Sequence, residues 1–226
     1  MINAISIKNL RVFLGSSEIL RNISLEIPKG ELLYILGSNG SGKTTLIKTI
    51  LGIIKPDSGN VSIFGKPNTQ EQVSRHIGYV PQYSSMERDF PISVEEVIEL
   101  ECSTLDHCNI NAHEHLKYFN AESFKNDRLS ELSGGEFQKV LIARAFVSNP
   151  KILILDEPFN NLDKLAQQEL LTLIDKLHNE DGMTVLIITH DPNIIKKSDR
   201  AVLLEDGQLI TDKAEVLLKE YLHHES

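Results

Sequence analysis

The sequence has no tryptophan, only two cysteines in 226 residues, and an aromatic share of 6%. Two thiols are too few for the set of bridges that staples a small secreted domain, so the fold must rest on an apolar core. Both thiols are expected to be reduced, in a cytosolic protein. No apolar stretch approaches the roughly 20 residues that cross a bilayer, and Met1 to Lys8 lack the charged start and apolar centre of a signal peptide. Basic residues are scarce as well: 23 Lys and Arg stand against 32 Asp and Glu, a formal charge of −9. A broad nucleic-acid footprint needs clustered cations, so no nucleic-acid partner is expected. Neither an internal repeat nor a low-complexity linker is visible.

With 41% apolar and 24% charged residues, the composition is that of a folded globular chain. The length suits one or two domains with one sizeable core. Short apolar runs fill the first 36 residues: Ile5 and Ile7, then Leu20, Ile23, Leu25 and Ile27, then Leu32 to Leu36. They read as strands. The last run is apolar at every position, as expected of a parallel strand covered on both faces. Thr44 to Leu51 returns apolar residues at helical spacing and Gly52 follows as a cap. Short strands are expected at Val61 to Phe64 and Ile77 to Val80. From Ser93, an N-cap with Glu96 three residues on, to about Phe146 the pattern is mainly helical. Strands resume at Ile152 to Leu155 and Thr184 to Ile188, around a helix from about Leu165 to Leu177. A hairpin of Ala201 to Leu204 with Gln208 to Ile210 leads into a helix from Asp212 to Leu222. The pattern describes an α/β core interrupted by a helical insertion.

Gly37, Ser38, Asn39, Gly40, Ser41, Gly42, Lys43 and Thr44 match G-x-x-x-x-G-K-[ST] in full, after a strand and before a helix. Glycine lets consecutive N–H groups turn toward phosphate oxygens, and the helix N-terminus adds its positive end. Lys43 is expected to reach the β- and γ-phosphates of ATP and the Thr44 hydroxyl to bind Mg²⁺, with Thr45 beside it. The strand Ile152 to Leu155 ends in Asp156 and Glu157. Asp156 is expected at the carboxyl edge of the sheet, holding Mg²⁺ through water, and Glu157 one residue further, activating the attacking water.

Leu132, Ser133, Gly134, Gly135, Glu136 is a third element, and with it the chain resembles the ATP-binding subunit of an ABC transporter over essentially its whole length. The phosphate loop, Gln82, the signature at Leu132 to Glu136, the acidic strand, Asn161-Leu162-Asp163 and His190 follow in the family's order. The resemblance implies a P-loop NTPase fold with a RecA-like core, an N-terminal antiparallel β subdomain and an inserted helical subdomain at about 84–150, all in one ATPase domain over 1–226. It implies that Gln82 completes the Mg²⁺ and water shell, that Glu157 is the catalytic base, and that His190 contacts the γ-phosphate. Ser133, Gly134 and Gly135 would complete the ATP site of a second subunit, and Asp163, in the D-loop, would join the cofactor-binding residues. The expected unit is then a head-to-tail homodimer with ATP at its interface.

Two positions depart from the family pattern. Glu136 stands where glutamine is usual, on the side expected to face solvent. The adenine-stacking aromatic would fall at Leu14, before Gly15, while Phe13 lies one residue earlier. A one-residue shift points a strand side chain to the other face, yet Phe13 is the candidate because only it offers a ring.

A chain with no membrane span implies separate transmembrane permease subunits, placing this one on the cytoplasmic face of the cell membrane, with an external substrate-binding protein in the full system. Tyr79-Val80-Pro81-Gln82, the stretch Asp89 to Val94 and Asp156-Glu157-Pro158-Phe159 are similar to the ATPases of zinc and manganese importers. Another cargo, or a soluble non-transport ATPase, is the alternative. Cys102, His107, Cys108, His113 and His115 are not expected to form a metal site needed for hydrolysis, nor is the terminal pair His223 and His224. On one continuous helix Cys102 and Cys108 would lie on different faces; a turn between them, which Asp106 and Asn109 allow, would bring them together.

Overall fold

Turn residues cut the first third of the chain into strands that belong to two different sheets. The computed structural model describes residues 2–82, 90–105, 108, 110–196 and 200–211. Strands β1 (Asn3–Leu14) and β2 (Ser17–Pro28) form a hairpin around Gly15, and β1 also pairs antiparallel with β4 (Ser58–Ile63), which carries the short β5 (Lys66–Pro67). The order is β2-β1-β4-β5. One face of this sheet buries Ile5, Ile7, Leu10 and Val12. The polar residues between them face out, as in an antiparallel sheet with one wet side.

The second sheet collects β3 (Leu32–Leu36), β6 (Ile77–Val80), β7 (Ile152–Asp156), β8 (Thr184–Thr189), β9 (Arg200–Glu205) and β10 (Gln208–Thr211), in the order β10-β9-β3-β8-β7-β6. All neighbours are parallel except the edge strand β10. Every residue of β7 and β8 is buried, which accounts for their unbroken apolar runs. Alternate side chains enter two separate cores. Leu33, Ile35, Ile152 and Ile154 pack with the β1–β2 sheet and with Leu46, Ile47 and Ile50 of helix α1 (Lys43–Ile50). Tyr34, Leu36, Leu153 and Leu155 pack instead with the helices on the other face.

Those helices are α3 (Val94–Ser103), α4 (Ala112–Tyr118), α5 (Gly134–Ala145) and α6 (Lys164–Asn179); α2 (Gln70–His76) precedes β6. α3, α4 and α5 fall between β6 and β7, where the helical pattern was expected, and send Val94, Ile98, Leu116, Phe119, Phe137 and Val140 into the core under the sheet. Ser93 and Glu96 form the expected capping box. The α/β P-loop NTPase architecture is the one anticipated. The helix expected at Asp212 to Leu222, the histidines 107, 223 and 224, and Asp89, Asp106 and Asn109 lie outside the described residues.

One expectation is overturned. The cysteines are not free thiols: Cys102 and Cys108 are joined in a disulfide, their Cα atoms 5.3 Å apart. α3 ends at Ser103, and the chain coils back through Leu105 N–H to the Cys102 carbonyl and Cys108 N–H to the Leu105 carbonyl. Because α3 stops before Cys108, the two cysteines do not share one continuous helix, and the turn decides their geometry.

Candidate functional site

Parallel register brings the site together. Leu36 pairs with Thr189 across β3 and β8, and Asp156 pairs with Ile188 across β7 and β8. The carboxyl ends of three adjacent strands are therefore level. The residues that follow them, Gly37, Glu157 and His190, must emerge side by side, at the edge where open α/β sheets bind ligands.

The phosphate loop runs from the end of β3 into α1. A side chain at Gly37 would place its Cβ 2.5 Å from the Leu204 carbonyl oxygen and 2.6 Å from Ser41 Oγ, so only glycine lets the loop pass. Gly42 holds φ +108 at the N-cap of α1, a left-handed conformation that glycine tolerates without a side-chain clash. Its missing Cβ faces Leu20 and the Ile19 carbonyl of β2, which places the β1–β2 hairpin over the start of α1. Ser41 Oγ is buried with no hydrogen-bond partner among the described residues. An orphaned hydroxyl inside a glycine loop fits a site built for an oxyanion. Lys43, 7% exposed, donates to the carbonyls of Gly37 at 2.6 Å and Ser38 at 3.0 Å. Thr44 stands exposed on the first turn of α1 and Thr45 is buried behind it.

Asp156 and Glu157 are both buried, at 4% and 6% exposure. Glu157 adopts φ +50 and donates its N–H to the Ile188 carbonyl at 2.8 Å, so the chain turns sharply off β7. Its two oxygens take different partners: Oε1 lies 3.5 Å from Lys43 Nζ, and Oε2 is 2.9 Å from His190 Nδ1 and accepts the His190 backbone N–H at 3.3 Å. One carboxylate thus links the phosphate-loop lysine to the histidine after β8. Burial pushes the Asp156 carboxyl up to about 6, and the neighbouring Glu157 charge pushes the same way; a hydrogen bond from Tyr79 and the Lys43 charge pull against them. Adjacent carboxylates with the Thr44 hydroxyl are hard oxygen donors, a set that suits Mg²⁺ bound alongside phosphate.

The remaining expected residues lie around this centre. Gln82 is exposed just past the end of β6. Phe13, 41% exposed, sits near the tip of the β1–β2 hairpin, its backbone N–H held by Asp57 at 2.8 Å; Leu14 is 49% exposed. Asp163 is the N-cap of α6, accepting the Ala166 N–H at 2.8 Å. Ser133 is the N-cap of α5, and Glu136 closes a capping box on it: the Ser133 hydroxyl and N–H donate to the Glu136 carboxylate at 2.6 and 2.8 Å. Glu136 is turned back onto the signature serine, which holds its carboxyl below the usual range.

The signature glycines also have an intramolecular reason that sequence reading missed. A Cβ on Gly134 would press on the Leu162 side chain at 3.2 Å, and one on Gly135 would meet Ala166 Cβ at 2.8 Å, so at Gly135 α5 and α6 approach too closely for a side chain. Tyr79 was missed as well, although its position one residue short of the end of β6, on the strand beside Asp156, carried the signal. His113 and His115 have partners of their own, Glu122 at 3.3 Å and the Ala143 carbonyl at 2.7 Å.

Comparison with known proteins places this geometry in context. The family described as ABC transporter matches residues 20–160. The zinc import ATP-binding protein ZnuC of Buchnera aphidicola subsp. Schizaphis graminum is 37% identical over 203 residues, 90% of this chain and 81% of its own. The spermidine/putrescine import ATP-binding protein PotA of Thermotoga maritima is 36% identical over 91% of this chain but 57% of its own. Among solved structures, a dimeric ATP-binding cassette in a post-hydrolysis state with ADP and Pi is 32% identical and superposes with a TM-score of 0.80, covering 93% of this chain and 98% of its own.

Proposed function

The chain belongs to the ABC transporter family, and from that premise we propose that it is the ATP-hydrolysing subunit of a bacterial importer of divalent metal ions, zinc or manganese. The observation that carries the hydrolytic part is Glu157, a buried carboxylate set between Lys43 and His190 at the carboxyl end of β7. Its contact with His190 orients it, and its position beside the phosphate loop suits a base that takes a proton from water attacking the γ-phosphate. Lys43 donates to the loop carbonyls of Gly37 and Ser38 and lies beside Glu157. Phosphate oxygens offer that ammonium stronger acceptors, so ATP draws Lys43 away and leaves Glu157 free to accept a proton. Thr44, Asp156 and Gln82 are the residues to hold Mg²⁺, which when bound offsets charge on the β- and γ-phosphates. Phe13 is the residue to stack on adenine.

The dimeric cassette among the structural relatives supports a homodimer; in this reading ATP lies at its interface, and Ser133, Gly134 and Gly135 serve the partner's site. We place the whole of 1–226 in one ATPase domain, with 84–150 as its helical subdomain. No helix among the described residues is long and apolar enough to cross a membrane. Separate permease subunits would carry the cargo, with this chain on the cytoplasmic face and an external substrate-binding protein delivering the ion. The zinc-import relatives support the metal. The polyamine-import relative supports a second reading with another cargo.

Glu157→Gln is expected to keep ATP binding while lowering phosphate release at least ~100-fold, and ATP should then hold a dimer visible by light scattering. Hydrolysis at the parent rate would overturn the role of Glu157. For the cargo, vesicles holding this chain with its permease should take up zinc or manganese in an ATP-dependent way; uptake of spermidine without metal uptake would favour the second reading.

A further inference from the structure

The phenol of Tyr79 stands in a place that the reaction does not yet use. Tyr79 on β6 lies opposite Ile154 on β7 in the parallel ladder. Paired residues share a face of the sheet and residues two apart on one strand share it too, so Tyr79, Ile154 and Asp156 lie on the same side. A diagonal neighbour is within reach of an aromatic side chain. The ring packs against the core that includes Ile152 and Ile154, and its hydroxyl ends 3.4 Å from Asp156 Oδ2, to which it donates. Asp156 is itself 4% exposed, so solvent does little to set the orientation of its carboxylate. A ligand carboxylate that is free to rotate must be ordered when a cation binds. A donor fixed on one oxygen performs part of that ordering in advance and leaves the other oxygen to the metal.

We propose that Tyr79 is a positioning residue, whose hydroxyl holds the Asp156 carboxylate in the orientation that receives the divalent cation accompanying the nucleotide. The inference rests on the reading above that Asp156 serves that cation. The hydroxyl acts through Asp156 and not by direct contact with the nucleotide. A phenylalanine would supply the same packing without the donor, so the role belongs to one oxygen atom.

The test titrates Mn²⁺ into the ADP-loaded chain and follows loss of the free-ion signal by electron paramagnetic resonance, with ADP alone as the blank. Asp156→Asn should weaken binding strongly. Tyr79→Phe should weaken it by about threefold to tenfold, short of the roughly 10–100-fold typical of outer-shell partners because the bond is long, and should lower the melting temperature less than Tyr79→Leu does. Tyr79→Leu, which also loses packing, should weaken Mn²⁺ at least as much and lower the melting temperature. If Asp156→Asn binds Mn²⁺ like the parent, the metal role of Asp156 falls and the positioning role with it. If Asp156→Asn is weakened but Tyr79→Phe matches the parent, the metal role stands and the positioning role is overturned. A loss in Tyr79→Leu alone assigns Tyr79 to packing and overturns the proposal equally.

Discussion

At Asp156, burial and the neighbouring Glu157 charge raise the carboxyl from its ordinary 3.8 to about 6, so the folded chain holds a proton there more tightly than the unfolded chain does. A raised carboxyl pKa costs stability as pH rises. The cost is absent below the unfolded value, grows between the two, and is complete above about 6, where it amounts to about 3 kcal/mol at most. Asp156→Asn is therefore expected to raise the melting temperature of the nucleotide-free protein near about pH 7.5, with the gain shrinking to nothing near about pH 4. Differential scanning fluorimetry across that range checks it, and a gain that grows toward acid would contradict the sign. The residue is tolerated at this cost because the cation it is proposed to hold favours the charged form. Glu157 carries a related cost in its backbone, at φ +50. Left-handed conformations in residues other than glycine persist where surrounding contacts over-determine them, and here the Ile188 carbonyl, Lys43 and His190 all hold the residue in place.

Helices α5 and α6 meet at a seam made by absent side chains. Gly134 and Gly135 open α5, and they face Leu162, just before α6, and Ala166 in its first turn. Gly135→Ala would put a methyl 2.8 Å from Ala166 Cβ, closer than carbon atoms approach, so the helix starts must separate. The expected cost is about 1 to 3 kcal/mol of unfolding free energy by denaturant titration, the range for an overpacked contact. An unchanged midpoint would mean that the seam yields freely. The same helix start is held by the Ser133 and Glu136 box, in which the serine hydroxyl donates to the Glu136 carboxylate. The signature is thus a packing device within one chain as well as a candidate phosphate clamp for another. At the end of α3 the Cys102–Cys108 bridge closes the short turn that follows the helix.

For the assembled molecule, the proposed homodimer draws each ATP site from two chains, and mixing inactive variants tests that arrangement. Lys43→Ala removes the phosphate-loop ammonium. Ser133→Arg blocks the signature at an exposed position and avoids the close contact beside Gly135. Each variant alone should be inactive. An equal mixture should recover up to about a quarter of the parent rate, since half the dimers formed by random pairing are mixed and each holds one intact site. Phosphate release from the mixture, with mixed dimers verified by differential tagging, checks it. No recovery would place both halves of the site in one chain.

How much of this was legible beforehand depends on whether a feature is written locally. The phosphate loop, the acidic end of β7, the capping residue Ser93 and the uniformly apolar strands could all be read from the sequence. Each depends on residues within a few positions of one another, through backbone freedom, helix-end hydrogen bonding or burial on both faces of a sheet. Whatever depends on residues distant in sequence was decided by the tertiary structure. The Lys43, Glu157 and His190 cluster has its level geometry from the register of β3, β7 and β8. The need for glycine at 135 comes from Ala166 on another helix, and the value of Tyr79 comes from a strand that joins the sheet far later in the chain. Cys102 and Cys108 lie close in sequence, yet their pairing also waited on the structure, because it turns on where α3 stops. Propensity and spacing act over a turn or two, whereas contact distance is set only when the sheet and its helices close around one core.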